Sequence, residues 1–515
     1  MTTTSAGAID PTQREEGRAT PLTIRIHPAD TVVVSIRSLN AGDAVVVDGE
    51  RITARQDVPA GHKIALRSHE PGEPVMKYGF AIGRATQAIA RGDWVHSHNL
   101  QTQLEGLVGY RYEPIASCPA LPDTMPTFMG YRRENGCVGT RNEIWVLNTV
   151  GCVNHAAERI ARLTAERFAG QVDGVYAFGH PYGCSQLGDD LQNTQRVLAG
   201  LLRNPNAGGV LVLGLGCESN QMNALLELAG DVDRERLRFF NTQDVIDELE
   251  QGTAAVAELA SRVATDRRVA CPASELVLGH KCGGSDGFSG ISANAVVGRI
   301  ADRVTALGGA VLLTEVPEMF GAEQLLMHRA ANEDVFRDLV AMINDFKAYF
   351  LAHGQPIYEN PSPGNIAGGL TTLEEKSLGA IQKGGEATVT RVLRYGEAVA
   401  GGGLSLLEAP GNDAVSSTAM VASGATVLLF TTGRGTPLGF PVPTIKISSN
   451  SDIAAKKPHW IDFNAGALID GTATRDELAN DLFALVLDVA SGRMLTNSEK
   501  NGYREIAIWK EGVTL

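Results

Sequence analysis

From residue 143 onward the chain repeats one pattern, in which short apolar runs (EIWVLNTV, DGVYAFGH, GGVLVLGLG, ELVLGH, GGAVLLTEV, GATVLLFTTG) alternate with helical spacing such as HAAERIARLTAERF. A strand with one face in water alternates apolar and polar residues. Runs as continuous as these require a parallel sheet covered on both faces by helices. Residues 22–100 have a different texture: TIRIH, TVVVSI and DAVVVDG are brief β-branched runs broken by Asp-Gly, Gly-Asp and Pro-Gly turns, which predicts a small β domain. Between the two regions Pro114, Pro119, Pro122 and Pro126 fix φ and remove donors, so an extended connection is expected there. A chain of 515 residues suits about three domains. The expected order is a mobile tail over 1–20, a β domain over 21–101, a linker over 102–129, a central α/β domain over 130–267 and a C-terminal α/β domain over 268–515.

Charge and hydropathy narrow the function. Lys plus Arg of 45 against Asp plus Glu of 59 gives a net charge of −14, which opposes binding to nucleic acid. No apolar run reaches the roughly 18–20 residues that span a bilayer, and the first 20 residues lack a basic then apolar leader, so a cytoplasmic protein without membrane partners is expected. The seven cysteines are odd in number and form no CxxC pair, which predicts reduced thiols.

Four of these thiols share a context. Cys152, Cys184, Cys217 and Cys282 each follow a predicted strand, next to or within a few residues of glycine. Ligands of open α/β sheets bind at the carboxyl ends of the strands, so the four are expected to converge on one crevice. The same positions also suit a small residue packing a tight loop. Gly214-Leu215-Gly216 lacks the third glycine of a dinucleotide fingerprint and no GxxxxGK[ST] occurs, which disfavours nicotinamide and ATP. Cys282-Gly283-Gly284-Ser285-Asp286-Gly287 and Thr432-Gly433-Arg434-Gly435-Thr436 read instead as loops whose amides and guanidinium hold a carboxylate. His96 and His98 fall on one face of an extended segment, and with His62 they make a candidate divalent-metal site. His180, at a strand end, is the candidate general base.

The segments DVPAGHKIAL, VHSHN, YRRENGCVGTRNE, HPYGCSQLGDD, GLGCESNQ, CGGSDGFSGISAN, TEVPEMFGAEQLL, YENPSPGN and TTGRGTP closely resemble the altronate/galactarate dehydratase family, in its order and over nearly the whole chain. The resemblance implies a β-clip domain of the SAF type followed by two α/β, Rossmann-like domains. It implies a hydro-lyase dependent on iron(II) or manganese that acts on a sugar acid, and a homodimer. The GHK motif falls on Gly61, His62 and Lys63, the HxHN motif on His96, His98 and Asn99, and GDD on Gly188, Asp189 and Asp190; the last two favour the altronate side of the family. Expected roles are catalysis by His180, Lys63 and Asp286, substrate binding by Gly283, Gly284, Ser285, Asn365, Arg434 and Gly435, and metal ligation by His62, His96 and His98. The thiolates of Cys152, Cys184, Cys217 and Cys282 are the alternative ligands, for iron or an iron–sulfur cluster. Such a dehydration removes a weakly acidic proton next to a carboxylate and expels hydroxide, so it needs a base and a Lewis acid. A galactarate or other sugar-acid dehydratase, or a non-catalytic sugar-acid-binding protein, are the competing expectations.

Overall fold

The computed structural model describes residues 22–115 and 124–512. The expected tail over 1–20, with Cys118, Pro119 and Pro122 of the linker, lies outside the described residues. The β domain forms where turns demand it. The hairpin Ala44–Val47 to Glu50–Thr53 reverses at Asp48-Gly49, whose φ angles of 51° and 83° are both positive, as a two-residue turn between right-twisted strands requires. A four-stranded antiparallel sheet runs Thr23–Ile24, Val32–Ser35, Lys63–Ala65, Trp94–Val95, with Val33 opposite Ile64.

The continuous apolar runs become the parallel strands they predicted. The central sheet has the order Val175–Phe178, Glu143–Asn148, Ala207–Gly214, Leu237–Asn241. Successive side chains of one strand enter opposite cores: Ile144 and Val146 pack with Ile160 and Leu259, while Trp145 and Leu147 pack with Val197 and Leu201. This two-sided burial is why Glu143–Asn148 is buried at every position.

The C-terminal sheet is parallel throughout, in the order Val389–Leu393, Gly403–Leu407, Ala310–Leu313, Val277–Cys282, Val427–Thr432, Thr444–Ser448, Phe463–Asn464. From Val277–Cys282 the chain first builds outward on one side and later returns to the other. The loops after Cys282 and after Thr432 therefore part at the switch point, where a crevice opens. The connection is less free than expected. Thr127–Arg132 forms a strand paired with Val269–Pro272, and upstream Thr102 and Gln103 donate to Glu374, while the amide of Ile115 donates to His328. Among the described residues no helix is long and apolar enough to cross a membrane.

Candidate active site

A cavity of about 730 Å³ lies where the β domain meets the switch point. The β domain contributes Ile36, Arg37 and Ala60, and the C-terminal sheet contributes Asp286, Gly433, Arg434, Asn450 and Lys456. Its lining carries three cations, Arg37, Arg434 and Lys456, and three carboxylates, Asp286, Asp452 and Asp470, and a guanidinium in such a setting suits a carboxylate. Backbones meet closely beside it: a Cβ on Gly287 would collide with the carbonyl of Gly61, one on Gly369 with the same oxygen, and the amide of Gly287 donates to Gly368 at 2.8 Å. Glycine is needed here because two chains share the space of one side chain, and Gly61 itself has φ +82°.

Asp286 organises the loop. Its Oδ1 accepts from Ser289 Oγ at 2.8 Å, Ser449 Oγ at 2.8 Å and the Phe288 amide at 3.1 Å, and its Oδ2 accepts from Asn450 Nδ2 at 2.9 Å. These donors leave the expected catalytic carboxylate engaged in holding the cavity wall. Asn365 donates to the carbonyl of Ser285 at 2.8 Å and so joins two expected binding segments, while Gly284 stacks its open face on Arg434. Gly283 lies against Asp413 and Gly435 against Ile453 and Trp460.

Lys63 is tied rather than free. Its ammonium donates to both oxygens of Glu375, at 2.9 and 2.8 Å, and to the carbonyl of Gly369 at 2.7 Å; Lys77 reaches the same carboxylate at 2.7 Å. Burial lowers Lys63 to about 8 even though Glu375 opposes the shift. Its neighbours His62 and His96 stand with ring centroids 4.8 Å apart, and His96 stacks on Trp94. Burial first, then the charge of Lys63, lowers both imidazoles, His96 to about 4, so both are neutral at pH 7 as metal ligation demands. His96 Nδ1 is buried and has no partner among the described residues, whereas His62 Nδ1 accepts from Trp94 Nε1 at 3.2 Å. His98 is exposed and packs against Trp94, with ring centroids 5.1 Å apart. A metal thus finds one unengaged buried nitrogen here, on His96.

His180 sits at the end of its strand as expected, but burial lowers its pKa, and both ring nitrogens face backbone: Nε2 lies 2.8 Å from the carbonyl of Asn148 and Nδ1 accepts from the Tyr182 amide at 3.2 Å. The ring therefore braces two strand-end loops, and neither nitrogen faces the cavity. Asp190 of the GDD motif is also buried, and accepts from the amides of Glu511 and Gly512 at 2.8 and 2.9 Å, fastening the end of the chain.

The structure divides the four strand-end cysteines between two sheets. Cys152, Cys184 and Cys217 follow adjacent strands of the central sheet and are exposed; Cys282 ends a strand of the C-terminal sheet and is buried. Around Cys282 lies a charged network that apolar strand patterning did not announce. Lys383 donates to Cys282 Sγ at 2.7 Å and to Glu315 at 3.0 Å; Lys281 pairs with Glu315 and, at 2.8 Å, with Asp413; Lys376 pairs with Glu318 at 2.8 Å. Glu315 holds φ +70°, which this ring of partners fixes in place. The sulfur of Cys282 and oxygens of Glu315 and Glu318 lie within 4.8 Å of one another, a group that could hold a metal ion. An ion there would have to displace the Lys383 ammonium. Burial and then Glu315 push the thiol up to about 12. The signal available in sequence was Lys281, a lone charge inside the apolar run LVLGHKC, with two carboxylates in TEVPEMF.

Three family models account for the chain almost end to end: the altronate/galactarate dehydratase SAF domain over 21–103, the second domain of D-galactarate dehydratase/altronate hydrolase over 130–264, and the C-terminal D-galactarate/altronate dehydratase domain over 273–514. The chain belongs to the altronate/galactarate dehydratase family. It is similar to altronate dehydratase of Escherichia coli, 52% identical over 96% of this chain and 99% of the relative, and to altronate dehydratase of Bacillus subtilis, 49% identical over the same shares. Galactarate dehydratase (L-threo-forming) of Escherichia coli is 34% identical over 94% of this chain and 96% of its own length. In this chain the junction of the SAF domain and the C-terminal sheet is where the neutral His62 and His96 lie near the cavity lined by Arg37, Arg434 and Lys456.

Proposed function

We propose that this hydro-lyase dehydrates D-altronate to 2-keto-3-deoxy-D-gluconate and water. The observation that carries the reading is the end-to-end identity of about half with two altronate dehydratases, against a third with galactarate dehydratase. The cavity at the domain junction supports it with a volume suited to a six-carbon acid and with Arg37, Arg434 and Lys456 in its lining. Arg434, beside Gly284, grips the substrate carboxylate and stabilises negative charge on it, while the amides of Gly283 and Gly435 donate to the Thr431 carbonyl and to Thr432 Oγ1 and so shape the two loops. Asp286 holds the two gripping loops at fixed spacing through its four donors. His180 and Lys63 act as positioning residues: their proton-bearing atoms are committed to backbone and to Glu375.

Iron(II) or manganese is the cofactor in this reading, with His96 as its anchor and His62 and His98 as the neighbouring nitrogens. When bound, such an ion supplies a Lewis acid for the departing hydroxyl and the carboxylate. The free thiols suit a reducing compartment, and we place the enzyme in the cytoplasm. Anaerobically metallated protein incubated with altronate, galactarate and related sugar acids tests the assignment. Altronate is expected to give the 2-keto-3-deoxy acid; turnover of galactarate without altronate overturns the substrate, and no turnover of any acid at full metal occupancy overturns the activity. Replacing His62 and His96 by Ala is expected to remove the ion, and unchanged metal content in that variant overturns the histidine site.

A further inference from the structure

The exposed thiols of the central sheet take no part in that reading, yet they are the most concentrated soft-ligand group among the described residues. Cys152, Cys184 and Cys217 follow three neighbouring strands, with the strand of Cys152 in the middle. Free cysteine is among the residue types most often buried, and here all three are exposed. Their loops are laced into one unit. Gly183 accepts from the Asn220 amide at 3.0 Å, Thr149 accepts from Asn220 Nδ2 at 2.9 Å, Gly151 donates to Tyr182 at 2.9 Å, and Glu218 gathers the hydroxyl of Thr149 with the amides of Leu215 and Gly216. Gly183 and Gly216 take φ of 100° and 128°, which glycine allows, whereas Ser185, beside Cys184, holds φ 55° at some cost.

A helix begins just after each thiol, at Asn154, Gly188 and Met222. None of the three has a side-chain cap, whereas the helices preceded by Asp247, Asn332, Asn412 and Thr474 are each capped by that residue. The first turns of these helices therefore lack a capping side chain, although the Asn154 amide donates to Gly151 and Asp189 and Asp190 stand in the first turn of the second. Leu187 and Ile246, both exposed, flank the Cys184 loop and the Gln243 side chain that donates to Cys217.

Spacing distinguishes the occupant. A single tetrahedral ion with bonds near 2.3 Å needs thiolates roughly 3.8 Å apart. Among the described residues these sulfurs do not close to within 4.8 Å as a group. Neighbouring strands are about 4.8 Å apart, so the outer two loops leave their sheet roughly 10 Å apart. That is too wide for one ion to take all three thiolates, whereas a polynuclear centre, whose irons each take one thiolate, spans more of the gap between loops that lean inward.

We propose that Cys152, Cys184 and Cys217 bind an iron–sulfur cluster at the carboxyl edge of the central sheet. The uncapped helix termini donate to its anionic sulfides, which shifts its potential as such hydrogen bonds do. A cubane cluster held by three protein thiolates has one iron without a cysteine, open to an oxygen ligand. Cys282 is not a ligand, because it lies on another sheet with Lys383 on its sulfur.

The full chain is purified anaerobically, supplied with ferrous iron and sulfide, and assayed for iron, acid-labile sulfide, visible absorption and Mössbauer spectrum. The expected content is about four irons and four sulfides per chain, falling by at least half in each of C152S, C184S and C217S and unchanged in C282S. Circular dichroism separates cluster loss from misfolding, since the parent after chelation must give the same spectrum as the variants. Absence of acid-labile sulfide in the reconstituted parent, or parent-level sulfide in all three variants, overturns the proposal. Altronate turnover is scored apart: turnover with iron or manganese alone decides the proposed function, while acid-labile sulfide in the parent and its loss in the three variants decide the cluster, so either can fail with the other standing.

Discussion

At the carboxyl edge of the central sheet three cysteines stand in the open on glycine loops; at the same edge of the C-terminal sheet Cys282 is buried among Lys281, Lys383, Glu315 and Glu318. The local sequence sign is the same in both, an apolar strand followed by cysteine and glycine. What differs is whether a charged partner arrives from elsewhere in the chain. Lys383 comes from 101 residues downstream and converts the Cys282 position from a ligand into one member of a paired network. Among the described residues no lysine reaches the thiols of the central sheet; Cys217 accepts only from the neutral Gln243 amide and Cys184 faces the Ser185 hydroxyl. A strand-end motif therefore fixes where a thiol is presented, and distant charges decide what it can do.

The sharpest way to break this comparison is Glu315→Leu, which leaves Lys383 and Lys281 buried with too little counter-charge. Unpaired buried charge of this kind costs about 3–5 kcal/mol, so the C-terminal unfolding transition in urea is expected to move to markedly lower denaturant. An unmoved midpoint means the network is not what organises that edge.

Acid titration separates the two edges next. Burial alone would raise Glu318, but Lys376, Lys281 and Lys383 outweigh it and hold the carboxyl near 2. A depressed carboxyl stabilises the folded state fully above its unfolded value of about 4.3, and this contribution, of order 3 kcal/mol, is lost as pH falls toward 2. Stability followed by denaturant titration between pH 6 and 2.5 is expected to decline below about pH 4.5, and Glu318→Gln is expected to flatten that decline. A slope identical in the variant assigns the acid sensitivity elsewhere.

Smallest in energy, but most direct, is thiol labelling of the reduced, metal-free protein. Cys152, Cys184 and Cys217 are expected to alkylate in the native state, whereas Cys282 and Cys271, both buried, are expected to react only with unfolding, as read by peptide mass mapping. Native labelling of Cys282 at a rate like the other three dissolves the contrast.

The parallel strands were legible because unbroken apolar runs have few other uses: EIWVLNTV and GATVLLFTTG contain the strands Glu143–Asn148 and Val427–Thr432. The glycines of CGGSDG were legible as a loop, though the collision that Gly287 avoids with Gly61 joins two domains and has no trace in local sequence. His180 was placed rightly at a strand end and still could not be read as engaged, since its partner, the carbonyl of Asn148, belongs to a neighbouring strand. The lysine and glutamate partners were the least visible. Charged residues read one at a time look like surface, and only tertiary pairing across hundreds of positions puts Glu375 between Lys63 and Lys77.

That pairing also sets a clock. Lys63 and Lys77 belong to a domain made before the C-terminal one, and their shared carboxylate, Glu375, is encoded 312 residues after Lys63. At about 5–20 residues per second, translation spends roughly 15–60 s with both ammoniums made and their counter-charge unmade. During that interval the face of the β domain that will be sealed has to stay hydrated, because drying it would strand two cations. In a nascent chain halted before residue 375 the two ammoniums lack the carboxylate that pairs them in the folded protein, so this contact of the β domain is one of the later events of synthesis.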